Sequence, residues 1–339
     1  MSKLLGIDLA KESFYFCAVN DDDNKVLMSK KVARKRVLLE VLNLEPDCIY
    51  MEACGGAHYW AREFIKLNID VKLIPAQDVK PFVKGQKNDK NDGFAIIEAG
   101  RRPRATVVGI KTESQQDIQS LHRVRDILVR NRVSLSNQLR GLLMEYGYTF
   151  PKGSTGLMEG VRELLCKDEF GHSHVFLDLV RVQFAEILET IEKEKNYTNK
   201  LKEIAKQCES CKRLMSFPGV GFLTATLFLA SAGDARNFRN GRHGSAWLGL
   251  VPGQRSTGGK TVLTRLTKSG DKDLRRLVVQ GARAKVISAM RKGDLSKQNR
   301  WINEQVNRKG FNSAAISLAN KNVRGMIAIL KNGGEYIDI

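Results

Sequence analysis

The apolar positions of the first hundred residues fall into short runs separated by turns. Short apolar runs bounded by Gly, Asn and Asp are typical of strands, and a spacing of three or four residues is typical of helices. The pattern predicts strands over 4–9, 14–19, 25–31, 48–52 and 71–74, and helices near 37–42, after 56 and from about 89. Three strands are therefore followed by alternating helices and strands.

This order predicts an α/β fold with one sheet over residues 1–110. It is the order of a ribonuclease H-like sheet, in which the first strand runs through the centre. In such a sheet, acids from the first and fourth strands meet a later helix.

Two later stretches, 113–147 and 175–204, carry apolar residues at helical spacing and nearly balanced charge. They predict two long amphipathic helices within residues 111–206, joined by a turn at 147–156. Such helices form an antiparallel hairpin, a coiled-coil dimer arm or an ordinary helical core, and the pattern leaves these alternatives open.

The last third of the chain predicts a mostly helical domain over residues 207–339. The segment 217–221, which includes Gly219 and Gly221, precedes a predicted helix over 223–232. It resembles the Pro-Gly-x-Gly turn of helix-hairpin-helix modules, whose backbone N–H groups at a helix start hold a DNA phosphate. Further helices are expected after 264–276 and over 311–330.

Positive charge is concentrated in the same third. The formal net charge is +19, and residues 206–339 carry 24 Lys and Arg against 8 Asp and Glu, so +16 of the excess lies there. A surface this basic attracts polyanions and releases counterions on binding them. Nucleic acid is therefore the expected partner, ahead of a surface tuned only for solubility.

Targeting and cysteine patterns indicate a cytosolic protein. Apolar stretches of membrane-spanning length are absent from the sequence, and the N-terminus leads into a strand rather than a signal peptide. The 6 cysteines mostly lie in apolar runs, as reduced, buried thiols do. Cys208 and Cys211 form a lone Cys-x-x-Cys pair without the further ligands of a zinc site. We expect no membrane partner.

Four carboxylates are the candidate chemistry of the first domain. Asp8 and Glu52 each end an apolar run, and Asp89 and Asp92 lie three residues apart at a predicted helix start. An acid that ends a buried strand is costly unless a positive group meets it, and Mg²⁺ prefers carboxylate ligands. The spacing predicts a divalent-cation site of the kind that polarises a phosphodiester. The helix dipole alone explains either helical acid, but not the strand-end pair as well.

Ser256 is the second candidate. It lies in a Gly-rich stretch with Arg255, Thr257 and Lys260, a composition that lets backbone amides and cations approach a phosphate. Its hydroxyl is either a phosphate contact or a nucleophile, and residue chemistry favours contact because serine needs activation to attack. Thr257 is a rival for either role.

Several segments, taken in order, resemble one family. They are 6–11, 51–55, 87–92, 217–221, 249–260 and 267–275. The chain resembles the DEDD transposases, the bridge-RNA-guided insertion-sequence recombinases that include the Piv-type DNA invertases. Each motif is short, but the ordered set covers nearly the whole length. Gly93 departs from the family pattern, in which alanine usually follows the last acid.

The resemblance implies a RuvC-like domain in which Asp8, Glu52, Asp89 and Asp92 hold Mg²⁺, with Mn²⁺ able to substitute. It also implies a serine, matched by Ser256, that attacks a DNA phosphodiester and forms a covalent phosphoserine intermediate.

The same resemblance implies an assembly. The coiled-coil arm at 111–206 would join dimers into a tetramer, in which the metal site of one subunit serves the serine of another. A structured bridge RNA would pair with donor and target DNA in the bacterial cytosol or nucleoid. The expected nucleic-acid contacts are Lys87, Lys90, Gly219, Gly221, Arg255, Lys260, Lys268 and Arg275.

Two other functions fit parts of the pattern. A metal-only, structure-selective nuclease of the Holliday-junction-resolvase type would use the four acids, with Ser256 merely touching phosphate. A non-catalytic nucleic-acid-binding protein would keep the basic last third, but the presence of all four acids argues against it. We expect a DNA recombinase that uses metal and serine together.

Overall fold

The structure is a computed structural model that describes residues 2–83, 88–103, 105–166, 173–292 and 296–336, the side chain of Lys292 excepted. The chain forms two compact units: unit 1 comprises Met1–Glu113 and Ala235–Arg239, and unit 2 comprises Ser114–Asp234 and Asn240–Ile339. The predicted boundaries near 110 and 206 stay predictions. Among helices in the described ranges, none combines the length and apolarity needed to cross a membrane.

Unit 1 is built on a five-stranded mixed sheet. Its strands are β1 (Lys3–Asp8), β2 (Ser13–Asn20), β3 (Val26–Ala33), β4 (Cys48–Glu52) and β5 (Asp70–Ile74), in the order β3-β2-β1-β4-β5. Its helices are α1 (Val37–Leu44), α2 (Ala57–Lys66), α3 (Ala76–Val79) and α4 (Asp89–Gly100), with 3-10 turns at Arg34–Arg36 and Lys80–Phe82. β1 pairs antiparallel with β2 and parallel with β4, so it is central, and the predicted RuvC/ribonuclease H-like order is confirmed.

The central strand β1 is buried on both faces, and its alternate residues serve two cores. Leu5 and Ile7 pack in a cluster with residues of α1 and α2, whereas Leu4 packs in a cluster with residues of α4. Because successive side chains of a strand point to opposite faces, Gly6 and Asp8 share the face of Leu4. The first candidate acid therefore lies on the face that α4 covers.

Unit 2 is mostly helical over the described ranges. Its helices are α5 (Glu113–Glu145), α6 (Ser154–Cys166), α7 (His174–Gln207), α8 (Glu209–Met215), α9 (Phe222–Ala232), α10 (Gly241–Trp247), α11 (Lys272–Lys292), α12 (Lys297–Lys309) and α13 (Phe311–Asn332). Two strands, β6 (Pro252–Thr257) and β7 (Lys260–Leu266), form a two-stranded antiparallel ribbon. The helical character of the C-terminal part is as predicted.

The two long helices α5 and α7 run antiparallel. Arg125 donates to Thr198 Oγ1 at 2.8 Å, and Arg132 Nε lies 2.7 Å from Glu194 Oε2. Arg125 also lies within ion-pair distance of Glu194. The earlier residue of α5 thus meets the later residue of α7, which is the antiparallel geometry.

A helix replaces part of the turn that was predicted between the long helices. α6 begins at Ser154, inside the stretch 147–156 that was expected to be turn. Its residues Leu157 and Val161 are fully buried in a cluster with Leu139 of α5 and residues of α7. The two apolar positions are four residues apart, so one short face of α6 closes the end of the α5–α7 pair.

Candidate functional site

The two strand-end acids lie side by side. The parallel register pairs Ile7 with Met51 as its last rung, and Asp8 and Glu52 each follow by one residue. Side chains at neighbouring positions in register share a face of the sheet, so both carboxylates lie on the α4 side. The pKa of the nearby Cys54 thiol is raised by burial and then by the charges of Glu52 and Asp8, which places both acids near one group.

The helical pair lies in the first turn of α4. The side chain of Asn88 accepts the N–H of Asn91 at 2.8 Å, which caps the helix and starts it at Asp89. Asp89 is exposed and Asp92 is half-buried. The predicted start of this helix, and hence the spacing of the two acids along one turn, is confirmed.

Two glycines let α4 approach the central strand closely. A Cβ added at Gly6 would clash with the carbonyl oxygen of Gly93, and a Cβ added at Gly93 would lie 2.6 Å from Cys17 Sγ. The same Cβ would lie 3.8 Å from Tyr15 Cδ1, and Tyr15 is the register partner of Asp8. The first turn of α4 is therefore seated beside the strand end that carries Asp8.

The departure at Gly93 has a packing reason. Burial raises the pKa of the Cys17 thiol to about 11, so the thiol stays protonated, and it donates to the carbonyl oxygen of Lys90 at 3.5 Å. Its sulfur fills the space that a side chain at 93 would need. The sequence reasoning missed this role of Gly6 and Cys17, although a glycine inside an apolar strand is itself a signal of close approach.

The four acids are not gathered into a ligand cluster. Within the described part of the chain, no group of three or more His, Cys, Asp or Glu residues is arranged so that it could hold a metal ion. The structure thus brings together the strand ends and the helix start that carry the predicted ligands, but not the ligand atoms themselves.

The two lysines predicted beside these acids differ in what the structure describes. Lys90 is exposed in the first turn of α4. Lys87 lies outside the described residues.

Ser256 lies near the tip of the exposed ribbon rather than in an irregular loop. The turn residues Gly258 and Gly259 have φ of +57° and +75°, the left-handed values that a two-residue hairpin turn uses. The Gly-rich composition therefore serves the turn. Every residue from 254 to 265 is exposed.

The hydroxyl of Ser256 contacts uncharged groups of its own ribbon. Its Oγ accepts a hydrogen bond from Gln254 Nε2 at 2.7 Å and donates to Thr261 Oγ1 at 3.5 Å. Among the residues that the structure describes, no carboxylate or imidazole hydrogen-bonds to it. The ribbon holds the hydroxyl in place without supplying a base.

The ribbon separates the serine from the two cations predicted to accompany it. Ser256 pairs with Thr261, whereas Arg255 pairs with Val262 and Thr257 with Lys260. Because side chains alternate along a strand, Arg255, Thr257 and Lys260 share the face opposite Ser256. The structure therefore groups the predicted phosphate-contacting cations with Thr257.

The predicted helix-hairpin turn joins α8 to α9. Gly219 has φ of +77°, and a Cβ added there would clash with the carbonyl oxygen of Gly281 on α11. Gly221 precedes α9, and a Cβ added there would meet nothing within 4 Å. Gly219 thus has a packing role, while the start of α9 is open.

The last two predicted contacts flank the loop after β7. Lys268 is exposed and has φ of +54°. Arg275 is half-buried, and its Nη1 donates to the carbonyl oxygen of Ser269 at 2.6 Å. Arg275 therefore ties the loop to the first turns of α11.

Comparison with known proteins covers both units. Residues 5–148 match the model DEDD_Tnp_IS110, described as a transposase, and residues 211–298 match the model described as transposase IS116/IS110/IS902 family. The chain is 40% identical over 334 residues to the transposase for insertion sequence element IS1111A of Coxiella burnetii, a match that covers 98% of this chain and 91% of that protein.

Other matches agree in length and kind. A probable family 20 transposase of Pseudomonas aeruginosa is 39% identical over 334 residues, with 96% of each chain covered. The transposase for insertion sequence element IS1328 of Yersinia enterocolitica is 38% identical over 328 residues, covering 95% of this chain and 94% of that protein. Among solved structures, T. thermophilus RuvC in complex with a Holliday junction substrate matches at a TM-score of 0.26 and 13% identity. That match covers 32% of this chain and 100% of the RuvC chain, and so low a score carries no weight.

The family matches and the full-length relatives place the chain, with its mixed sheet and acids at the strand ends, among DNA-cutting transposases. The chain belongs to the IS116/IS110/IS902 transposase family of insertion sequences. The predicted family is thereby confirmed.

Proposed function

We propose that this transposase cuts and rejoins DNA strands through Ser256, in a reaction that depends on Mg²⁺ or Mn²⁺ held by Asp8, Glu52, Asp89 and Asp92. The observation that carries the proposal is the position of the acids. Two end adjacent parallel strands, and two lie in the first turn of the helix packed over those strands.

The donor set fits the proposed metal. Mg²⁺ binds a few carboxylates and otherwise keeps water ligands, so four carboxylates on three elements suffice. Asp8, Glu52 and Asp92 are half-buried, where an added positive charge would offset their repulsion. When bound, the ion would supply charge stabilisation at the phosphate oxygens. Because the ligand atoms are not gathered, closing the cluster requires side-chain movement.

The serine step conserves phosphoester bonds. The Ser256 Oγ–P bond forms as a P–O bond to one deoxyribose breaks; the serine proton goes to a base, and the leaving sugar oxygen takes up a proton. A sugar hydroxyl of a second strand then attacks the phosphoserine and regenerates the serine. One ester replaces another at each step, so no nucleotide hydrolysis is needed.

Ser256 needs activation that its own ribbon does not provide, because its hydrogen-bond partners there are an amide and a hydroxyl. We propose that the acids of one subunit act with the serine of another. Exposed apolar residues on α5 and α7 support an assembling coiled-coil arm: Val175 is 78% exposed, Val182 67% and Met144 60%. Burying such residues between subunits is favourable, and it would build a dimer and then a tetramer.

We further propose that donor and target DNA and a structured bridge RNA bind the basic residues around these sites, in the bacterial cytosol. The open start of α9 at Gly221, in the helix-hairpin-helix-like turn, is suited to a phosphate because its first N–H groups have no side-chain cap. Lys90 and Lys268 are exposed and available for phosphate contacts. The charge of residues 206–339 and the family resemblance support the RNA partner.

Trapping the covalent intermediate tests the serine. Labelled DNA is incubated with protein, RNA and Mg²⁺, and the products are denatured and separated by size. Ser256→Ala should abolish the protein–DNA adduct, Thr257→Ala should keep it, and Asp8→Asn should lose it. If Thr257→Ala alone loses the adduct, the nucleophile is Thr257. If cleavage persists without any adduct in the wild type, the protein is a metal-only nuclease.

Copurification tests the RNA. Protein expressed together with the sequences that flank its gene should retain a structured RNA encoded there, recovered by sequencing after extraction. Protein that retains only random cellular RNA, in proportion to abundance, contradicts the guide assignment.

A further inference from the structure

A cavity of about 980 Å³ opens at the foot of the ribbon in unit 2. On the ribbon side it is lined by Pro252 and Leu266, which are the register partners at the ribbon's base. The rest of the wall comes mainly from α10, α12 and α13. None of the chemistry assigned above uses this cavity.

The charged lining of the cavity is wholly cationic and consists of Arg242, Lys309, Lys321 and Arg324. Lys321 Nζ lies 4.9 Å from the ring centroid of Trp301, a cation–π contact that holds the ammonium at the wall. Lys309 Nζ donates to Ser317 Oγ at 2.6 Å. Within the described part of the chain, no carboxylate pairs with any of these cations.

The four cations of the wall repel one another, because like charges in one site are unfavourable. Burial and the neighbouring Arg308 also lower the pKa of Lys309, so the surroundings of this lysine disfavour its charge. An anion that enters would remove this repulsion and gain contacts to ammonium and guanidinium groups. The phosphodiester is the polyanion that matches several such groups in a row.

Amide side chains lie among the cations. Asn240, Gln305 and Asn320 line the same cavity. Asn320 Nδ2 already donates to the carbonyl oxygen of Leu250 at 3.1 Å, and Gln305 Oε1 accepts from Arg308, so the Gln305 amide retains its donors. Amide side chains bind the edges of unpaired bases. Sulfate and inorganic phosphate have no such edges, so the amides favour a nucleotide as the ligand.

The size of the cavity favours a single strand. Pockets for small ligands are about 300–1,000 Å³, so this one holds a few nucleotides but not a duplex. Ser256 lies four positions after Pro252, which is about 13 Å of extended strand. A nucleic-acid strand held in the cavity therefore reaches the ribbon tip within a few nucleotides.

We propose that this cavity binds unpaired nucleotides of a nucleic-acid strand whose backbone continues along the ribbon toward Ser256. The direction toward Ser256 rests on the proposed function, whereas the binding does not. DNA and RNA offer the same chemistry here, and the experiment separates them.

Binding is measured on the full chain in EDTA by fluorescence anisotropy, with one sequence as single-stranded DNA, single-stranded RNA and duplex DNA. The cavity variant is Lys321→Ala with Arg324→Ala. The control is Lys297→Ala with Arg300→Ala, because these exposed α12 residues do not line the cavity and their loss removes the same charge.

The cavity variant should weaken single-strand binding roughly tenfold more than the control does, and should reduce the slope of log affinity against log salt by about 1.4 for two lost contacts. Whichever of single-stranded DNA and single-stranded RNA loses more affinity is the nucleic acid that the cavity binds. Equal losses in both variants overturn the proposal, and so does a loss confined to the duplex.

A second pair of variants, with milder substitutions, keeps the test valid if the double-alanine variant fails to fold. Arg242→Gln in the cavity is compared with Arg300→Gln outside it, and Lys321→Arg should keep binding because it retains the charge. Binding is measured in EDTA, where metal-dependent cleavage does not occur, so its result is independent of the serine mechanism. An adduct that survives Ser256→Ala in the Mg²⁺ trapping experiment would contradict the serine mechanism without changing the binding result.

Discussion

Gly93 and Cys17 occupy one space between α4 and β2. The sulfur of Cys17 lies 2.6 Å from where the Cβ of an alanine at 93 would be, too close for both to fit. The pair therefore acts as a unit, and an alanine at 93 would need a smaller side chain at 17.

Gly93→Ala should lower the free energy of unfolding by about 1–3 kcal/mol, because it overpacks a buried contact. Cys17→Ala in the same chain should recover part of this loss, since the remaining Cβ lies at 3.3 Å rather than the sulfur at 2.6 Å. Chemical denaturation of the wild type, both single variants and the double variant measures the coupling. Additive losses would contradict the shared space.

At the scale of single residues, the positions of the acids could be predicted from the sequence, whereas the packing of Gly93 against Cys17 could not. Asp8 and Glu52 end apolar runs, so their strand-end positions follow from the pattern alone. The fit of Cys17 to Gly93 appears only when α4 is placed on the sheet, because residues 17 and 93 share no local pattern. Close packing between residues that are far apart in the sequence produces no periodic pattern of apolar positions.

Among the elements, α5 and α9 are joined by a buried polar contact. His122 Nε2 lies 2.9 Å from Thr226 Oγ1, and the Thr226 hydroxyl donates to the carbonyl oxygen of Phe222 at 2.8 Å. Because the hydroxyl proton of Thr226 is donated to Phe222, the neutral imidazole of His122 donates from Nε2 to Thr226 Oγ1. Burial lowers the pKa of His122 to about 4.

This contact predicts a loss of stability in acid. The pKa of an unfolded histidine is about 6.5, so between pH 6.5 and pH 4 the unfolded chain binds a proton that the folded chain excludes. Stability should therefore fall as pH falls through this window, by about 2 kcal/mol from this residue at pH 5. Urea unfolding at pH 7.5 and pH 5 measures it, with His122→Gln as control. An equal fall in the variant would show that other groups cause it.

The elements that prediction missed are those with little apolar periodicity. The sheet strands and long helices were found because their buried faces repeat over many residues. The ribbon carries exposed Val262 and Leu263 side by side and buries neither, so no alternation marked it as a strand. α6 is 13 residues long but buries only a short face, and its first residues fall in the stretch predicted as a turn.

At the scale of the whole molecule, the proposed sharing of sites between subunits predicts complementation. The Asp8→Asn subunit supplies Ser256 but an incomplete set of acids, whereas the Ser256→Ala subunit supplies all four acids but no serine. If each site combines acids and serine from different subunits, an equal mixture should recover about a quarter of wild-type adduct, by random pairing.

Subunits must be mixed before assembly for this measurement, by coexpression with two different tags. Each variant expressed alone is the control and should form no adduct. A coexpressed mixture that is as inactive as its parents would place both halves of the site in one subunit.

The chain passes from unit 1 into unit 2 after Glu113, and a short segment, Ala235–Arg239, returns to unit 1. Phe238 of that segment is buried, and Asn237 Nδ2 lies 2.5 Å from where a Cβ of Gly109 would be. Synthesis proceeds from the N-terminus, so the α/β unit receives its last piece more than a hundred residues after its sheet has left the ribosome. The nascent protein therefore completes its acid-bearing unit only after helices α5 to α9 have been synthesised.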